Sequence, residues 1–577
     1  MKPGTRTTLT IVLLLLLAGC AGSDTTRNSD AADSGTPVNG DWAIVQLEAE
    51  PDTLNPLTYA STYSGYINFG INDSNVYETL LAQEPSDWIT PKGLLAEGRP
   101  EVAAGHLAYT FTVRQGVNWH DGKPLTVDDV LYSFKAVVCP GADTARMRPN
   151  LTDVSNIEVD GRKIRFTMSK PYVLNEISLG TNIAIIPKHV FDPQGALDSF
   201  TYKDLLAEKN RKNPALLEYG KTFNSNPAAR APVGTGPYKF EKWDTGKEIA
   251  LVRNDQYWGV KPHLNKIVYR IILDAAAALT ALKAGDVDFV PRLQAVQYAQ
   301  QTSGPAFDQQ FGKTPYTLTQ YYYLGWNEER SYFKDKRVRQ ALTMLLNRQQ
   351  IVDTIRFGLG QPAGSPIPPG PATHNPNVKP LPYDTNRAAA LLDEAGWKDS
   401  NGDGIRDKEG KPFSFELLSS TSALSNQLSP IFKEEFRKAG IDVREKHVEF
   451  ATFANSMRDH AFDAVISGAS LTPLTDPYDA WHSSSIANRG TNVVSFRNPQ
   501  SDELLEQARR EFDMEKRKQI LWKWQEIMAD EQPYTILFYP QDAAAYSRRF
   551  QGVKFLPVRP GYDLHSWYVP ASRQKYH

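Results

Sequence analysis

Four oxygen-bearing side chains lie close together at the spacing a cation loop needs. In DSNGDGIRDKEG, residues 399–410, Asp399, Asn401, Asp403 and Asp407 occupy positions one, three, five and nine of a calcium loop. Gly404 stands at the sharp turn and the Ile405 carbonyl is available as a further oxygen. The bidentate Glu of such a loop belongs at the twelfth position, which is Gly410; Glu409 comes one residue early. The pattern therefore reads either as a structural Ca2+ site or as a plain Asp/Asn/Gly turn, and no cofactor is otherwise required. Catalytic motifs are missing: the chain has no G-x-S-x-G elbow, H-E-x-x-H, P-loop or C-x-x-C. The ten histidines are scattered, and His120-Asp121-Gly122 sits in a turn, where a structural role is expected. The chain reads as non-catalytic. Its rival is a hydrolase whose triad is known only by geometry.

The elements that position these residues follow from periodicity. Tyr109, Phe111 and Val113 alternate with polar neighbours and predict a strand. Asp121-Gly122 predicts a turn, and Thr126 with Asp129 a capping box. Val127, Val130, Leu131, Phe134 and Val138 then mark one face of a helix. Ala43 onward alternates into a strand that breaks at Asn55-Pro56. Strand-like segments at Ala184 to Ile186, Gly236 to Trp243, Ile249 to Arg253 and Lys266 to Ile272 argue a sheet. Gly234 and Gly236 enter a strand with no phosphate-cradling helix behind them, so they are not a dinucleotide fingerprint. From residue 319 on, strands and helices alternate. Phe413 to Leu417, a helix through Leu428 and Phe436, Ile441 to Val448, a short helix and Phe462 to Ser467 give a βαβαβ order. That order predicts a parallel sheet whose ligands lie beyond the carboxyl ends of its strands. The loop Gly468 to His482, GASLTPLTDPYDAWH, leaves such an end. Asp476, Asp479 and Trp481 in it are candidate contacts, as is Ser467 just before it. Asp476 equally suits the start of an Asp-Pro turn. Tyr321, Tyr322, Tyr323 and Trp326 offer apolar walls, and no more than half of them can share one face. Asn327 follows them as a further candidate.

Met1 to Gly19 has a basic opening, an apolar run Leu9 to Ala18 and then Leu17-Ala18-Gly19-Cys20. The run is too short to span a bilayer and reads as a cleaved signal peptide. Residues 20–41 then form a polar tether with almost nothing to bury. Removing residues 1–19 takes away Lys2 and Arg6 and no acid, so the net charge moves from −2 to −4. So near-neutral a chain argues against nucleic acid as a partner. With Cys20 modified, Cys139 has no partner in the chain and reads as a buried small hydrophobe.

Several long motifs occur in order: YTFTVRQGVNWHDGKPLTVDDVLYSFK at 109–135, GTGPYKFEKW at 234–243, RNDQYWG at 253–259, ALKAGDVDFV at 281–290, and YYYLGWN through RVRQALTMLLNR between 321 and 348. Together they strongly resemble the family 5 extracellular solute-binding proteins, receptors of peptide, nickel and related ABC importers. The resemblance implies an α/β fold of the periplasmic-binding-protein type II (cluster C), with two α/β lobes joined by a hinge and an extra inserted domain. Mapped here, the central domain would comprise 42–81, 181–318 and 544–577, the inserted domain 82–180 and the hinged lobe 319–543. It also implies a lipobox at Leu17 to Cys20, with Cys20 lipidated and the protein held outside the cytoplasm on a membrane it does not cross. A monomer that captures an oligopeptide or related solute between lobes and delivers it to a permease and its ATPase is the implied function. In that family the segment after the Leu-x-Pro-like break passes close to the ligand, which makes Tyr59 and Tyr63 candidates. Relatives that bind free peptides commonly carry a Trp, then an Asp that pairs with the α-ammonium, before a Pro. Aligned on Pro477, this chain has Ser470 and Pro473 at those positions. The alternatives are therefore a receptor for an amine-free solute (oligosaccharide, metal chelate or blocked peptide) or a sensor or chaperone lipoprotein.

Overall fold

The computed structural model describes residues 37–70, 74–84, 87–472, 474, 476–487 and 489–576. Cys20 with the whole leader and tether up to residue 36, and Pro473, lie outside the described residues. Twelve strands share one sheet. In chain order they are β1 (Trp42–Leu47), β2 (Tyr238–Asp244), β3 (Glu248–Arg253), β4 (Lys266–Ile271), β5 (Phe289–Leu293) and β6 (Phe311–Thr317) in the first lobe. The second lobe holds β7 (Gln320–Trp326), β8 (Gly360–Pro362), β9 (Ser414–Ser420), β10 (Asp442–Val448) and β11 (Ala464–Ser470), and β12 (Tyr534–Ser547) runs through both. The sheet order is β10-β9-β11-β7-β12-β5-β1-β4-β3-β2, with β6 and β8 also paired to β12. Five helices matter below: α1 (Thr62–Phe69), α2 (Val127–Val138), α3 (Ala423–Lys438), α4 (Phe450–Arg458) and α5 (Pro499–Arg510).

The type II α/β architecture comes from two parallel groups. β1 lies parallel to both β4 and β5, and β9 lies parallel to both β10 and β11. The β9-α3-β10-α4-β11 order is the βαβαβ unit expected from the pattern, with β9 in the middle. β1 is buried on both faces: Ala43, Val45 and Leu47 enter one core, and Ile44 enters another. Its run does not alternate with solvent because a parallel strand is covered on both sides. In β7 the period of two is preserved. Tyr321 and Tyr323 belong to the core on one face; Leu324 and Trp326 belong to the core on the other, against which Tyr322 also packs.

The 109–135 motif forms a strand in a separate four-stranded antiparallel sheet, a turn and then α2. The Thr126 N–H and hydroxyl both donate to Asp129 Oδ2, at 2.9 and 3.0 Å, which starts the helix. Phe134 packs on Phe166 with ring centroids 4.6 Å apart. The turn then docks on the Gly-Thr-Gly-Pro strand entry. His120 N–H donates to Gly234 O at 2.8 Å, its Nδ1 accepts from Gly234 N–H at 3.2 Å, and its Nε2–H donates to Gly236 O at 2.9 Å. Both glycines are obligatory for close approach: a Cβ at Gly234 would stand 1.7 Å from Val76 O, and one at Gly236 2.2 Å from Asn75 O. The Tyr-Trp of RNDQYWG is explained next door. Tyr257 Oη and Trp258 Nε1 donate to the fully buried Glu78 at 2.7 and 3.1 Å, and Ser74 Oγ adds a third bond at 2.9 Å.

One expectation is corrected. Ala184–Ile186 is buried but is not a strand, because Ile185 N–H is taken by Glu78 O and Ile186 N–H by Ser133 Oγ, leaving no ladder. After Asn55-Pro56 the chain enters α1 at Thr62, capped by Ser61.

Burial pushes the His120 imidazole down to about 4 from an ordinary 6.5. The fold thus prefers the neutral ring, and the unfolded chain binds the extra proton between those values. This group's contribution is complete above pH 6.5 and is lost as pH falls towards 4. It amounts to at most about 3 kcal/mol, reduced by the ring's residual contact with water. Urea denaturation between pH 7.5 and 4.5 should show stability falling with acid, and His120→Gln should flatten its share of that slope.

Candidate functional site

The carboxyl ends of β9 and β11 and the start of β7 border a cavity of about 390 Å³. That volume falls in the usual range of small-ligand sites, roughly 300–1,000 Å³. β7 contributes Gln320 to Tyr322, and β11 contributes Ile466 to Ser470. Ser420 ends β9, and Ser422 in the turn after it caps α3 by accepting from Ser425 N–H at 3.1 Å. Phe450 and Phe453 close one side from α4. Phe450 is 68% exposed, an unusual position for so large an apolar ring. Among the described residues a single charged side chain lines the cavity: Arg559, which arrives from the C-terminal segment. The arrangement offers hydroxyls, apolar rings and one cation, and presents no carboxylate.

Arg559 also lines a second, small cavity of about 20 Å³ in the first lobe. Here β1 and β5, again parallel, present their carboxyl ends with Glu48 and Arg292, and α1 adds Tyr63 and Tyr66. Both parallel groups therefore point their carboxyl ends at the Arg559 region, as an open α/β sheet requires of a ligand site. Tyr63 Oη donates to Glu48 Oε2 at 2.9 Å, and Arg292 Nε to Glu48 Oε1 at 3.2 Å. Burial and the adjacent Glu48 charge raise the Tyr63 phenol well above its usual range. Burial opposes a charge on Arg292, but Glu48 and Asp542 hold it protonated.

Three sequence candidates, Tyr322, Ser467 and Ser470, come together in the larger cavity, and Tyr63 lines the smaller one. Tyr59 lines neither. Its ring lies under the Arg146 guanidinium at 4.5 Å and near Phe69. Other candidates lie away from both cavities. Trp326 is fully buried, packed against Phe333, Phe415 and Phe436, with Nε1 donating to Thr535 Oγ1 at 3.1 Å. Asn327 follows it at the far end of β7 and donates to the carbonyls of His460 and Phe462. Both sit about 20 Å along the strand from Gln320, given a rise near 3.3 Å per residue. Trp481 is buried against Trp524 and Tyr534.

Asp476 is committed elsewhere. Its Oδ1 accepts from Tyr478 N–H at 3.0 Å, the turn geometry of Asp-Pro, while Oδ2 accepts from Arg509 Nε on α5 at 2.6 Å and Tyr172 Oη at 2.9 Å. Asp479 accepts from the same Arg509 at 3.0 Å. The cluster joins the loop after β11 to the segment bearing Tyr172.

The 399–410 stretch folds as a series of side-chain-to-backbone turns. Asp399 accepts from Gly402 and Gly404 N–H, Asn401 from Asp403 N–H, Asp403 from Ile405 N–H, and Asp407 from Ser400. Among the described residues no group of three or more His, Cys, Asp or Glu is placed to hold a metal ion. Sequence reasoning missed Gln320, Ser420, Ser422, Phe450, Phe453 and Arg559. The serines were within reach, since the carboxyl-end rule applied to β11 applies equally to β9. Arg559 had no local signal.

Residues 90–492 match the family model described as bacterial extracellular solute-binding proteins, family 5 Middle. The chain is 33% identical over 574 residues to the oligopeptide-binding protein AppA of Bacillus subtilis (strain 168), covering 97% of each. It is 26% identical over 424 residues to the nickel-binding periplasmic protein of Escherichia coli (strain K12), covering 71% of this chain and 72% of that protein. The solved structure of B. subtilis AppA in complex with a nonapeptide superposes with a TM-score of 0.71 at 31% identity, over 92% of this chain and 100% of that one.

Asp476→Ala should lower stability by about 2 kcal/mol, since it strands a half-buried guanidinium as well as removing the bonds. Tyr172→Phe, which removes one hydrogen bond, should cost about 1 kcal/mol. Both are read by urea denaturation of the mature chain.

Proposed function

The chain belongs to the family 5 bacterial extracellular solute-binding proteins, and on that premise we propose that it is the receptor of an ABC importer. It captures an oligopeptide or related small solute in the cavity at the ends of β9 and β11 and delivers it to a membrane permease driven by a separate ATPase. The observation that supports this is the lining: β7, β9, β11 and α4 of one lobe face Arg559 from the other segment across a cavity of ligand size. A ligand touching both sides binds the closed arrangement better than an open one, and only that difference in affinity can drive closure. The receptor acts as a monomer and carries out no chemical step of its own. Cys20, lipidated, would hold it on the outer face of a membrane. No helix among the described residues is long and apolar enough to cross one.

A second reading, an amine-free solute, is favoured by Asp476. With its carboxylate held by Arg509 and Tyr172, and no carboxylate lining the cavity among the described residues, an α-ammonium lacks a partner there.

Thermal stability of the mature chain lacking Cys20 tests both readings. The panel comprises di- to pentapeptides, N-acetylated peptides, oligosaccharides and nickel chelates, with and without calcium. A ligand at about a hundred times its Kd adds roughly 2.7 kcal/mol, a clear shift in Tm. Peptides are expected to stabilise; stabilisation by oligosaccharides or chelates alone would replace peptide with the second reading. Cys20→Ala in the full chain should move the protein from membrane to soluble fractions.

A further inference from the structure

We propose that Arg559 anchors a carboxylate of the ligand, so that the cavity recognises its solute by an acidic end rather than by an amine. The assignment rests on the receptor reading above and deepens it.

Several other guanidiniums in the molecule have structural employment. Arg339 is held by Glu531 and by the Phe333 carbonyl, Arg348 by the carbonyls of Ala363, Ile536 and Leu381, and Arg549 by Asp41 and Asp288. Arg559 differs in both partners and place. Nη2 donates to the neutral amide oxygen of Gln320 at 3.0 Å, the Tyr66 phenol hydrogen-bonds to the guanidinium, and Nη1 forms a long ion pair with Asp542 Oδ2 at 3.7 Å, beyond hydrogen-bond range. That Asp542 oxygen is buried with no hydrogen-bond partner. Asp542 thus faces Arg559 from within the first lobe and eases its desolvation without occupying its donors. The guanidinium lies between the two cavities, lining both.

A ligand carboxylate in the larger cavity would replace a neutral acceptor with a charged, bidentate one, an exchange that roughly doubles the strength of each bond. The surroundings suit it. Ser420 and Ser470 line the wall with hydroxyls, and among the described residues no Asp, Glu or Lys lines the cavity to repel or compete for the anion. α3 begins at the same wall, with its positive end towards the site. The carboxylate would then be shared between Arg559 and serines of the opposite lobe, so one group on the ligand reports closure. The amine end needs no charged partner.

The test uses pools of synthetic tri- to pentapeptides in three forms: free acid, C-terminally amidated, and N-acetylated free acid. Each is titrated by calorimetry and by Tm shift into the mature wild-type chain, Arg559→Gln and Arg559→Lys. In the wild type, the free-acid and N-acetylated pools should bind alike and the amidated pool at least tenfold more weakly. Arg559→Gln should lose tenfold or more for free acids and become indifferent to amidation. Arg559→Lys, a point charge without the fork, should fall between. Equal binding of acid and amide by the wild type overturns the assignment alone, and that comparison holds even if a variant misfolds. Failure of all three pools overturns the peptide reading and the assignment with it.

Discussion

One strand carries the mechanical burden of this molecule. β12 pairs with β7 and β8 through its first half and with β5 and β6 through its second, so both lobes are hydrogen-bonded to the same fourteen residues. The other crossing shown between them is short: Leu318 and Thr319 join β6 to β7. Thr319 is tied there on both sides. Its N–H donates to Pro557 O at 2.8 Å and its hydroxyl to Leu471 O at 2.6 Å, while Leu471 N–H returns a bond to Thr319 O at 2.7 Å. These bonds bring the loop after β11 and the segment leading to Arg559 to a single point. The register of β7 on β12 shifts between Tyr322 and Tyr323, next to the cavity wall.

Charges are distributed to match. Away from the cavity, several buried titratable groups are well partnered: Glu78 by three side-chain donors, Arg549 by Asp41 and Asp288, and Asp476 by Arg509 and Tyr172. Leaving such a group unpaired in the interior costs several kcal/mol, so each is a fixed strut. At the lobe junction the pairing is looser. Arg559 has an amide, a phenol and a carboxylate at 3.7 Å, and a cation so placed can exchange partners when a solute arrives.

The motifs near residues 120, 235 and 257 turn out to be parts of one contact. His120 bonds to the Gly234 and Gly236 backbone; those glycines press against the carbonyls of Asn75 and Val76; and Glu78, two residues on, collects Tyr257 and Trp258. A residue chosen for such a fit leaves a clear mark in sequence, although the partner it fits is over a hundred residues away. It is a scaffold contact, and it explains the motifs without placing them at the ligand.

What the sequence by itself determined was local and periodic: the capped helix after Thr126, the alternation of β7, and the βαβαβ order that puts a site at the ends of β9 and β11. These follow from backbone geometry and burial, which act within a few residues of each position. The long motifs also carried the family, and those near residues 120, 235 and 257 make close tertiary contacts. Only the tertiary structure decided which polar and aromatic side chains face the cavity. Trp326 and Tyr322 share a face of one strand, yet four residues of rise separate a core tryptophan from a cavity tyrosine. Asp476 has the right charge for an ammonium, but Arg509 on α5 had already taken it. Arg559 lies over two hundred residues from Gln320 and meets it only because β12 brings the lobes together. Pairings of that kind depend on distance through space, and no spacing along the chain encodes them.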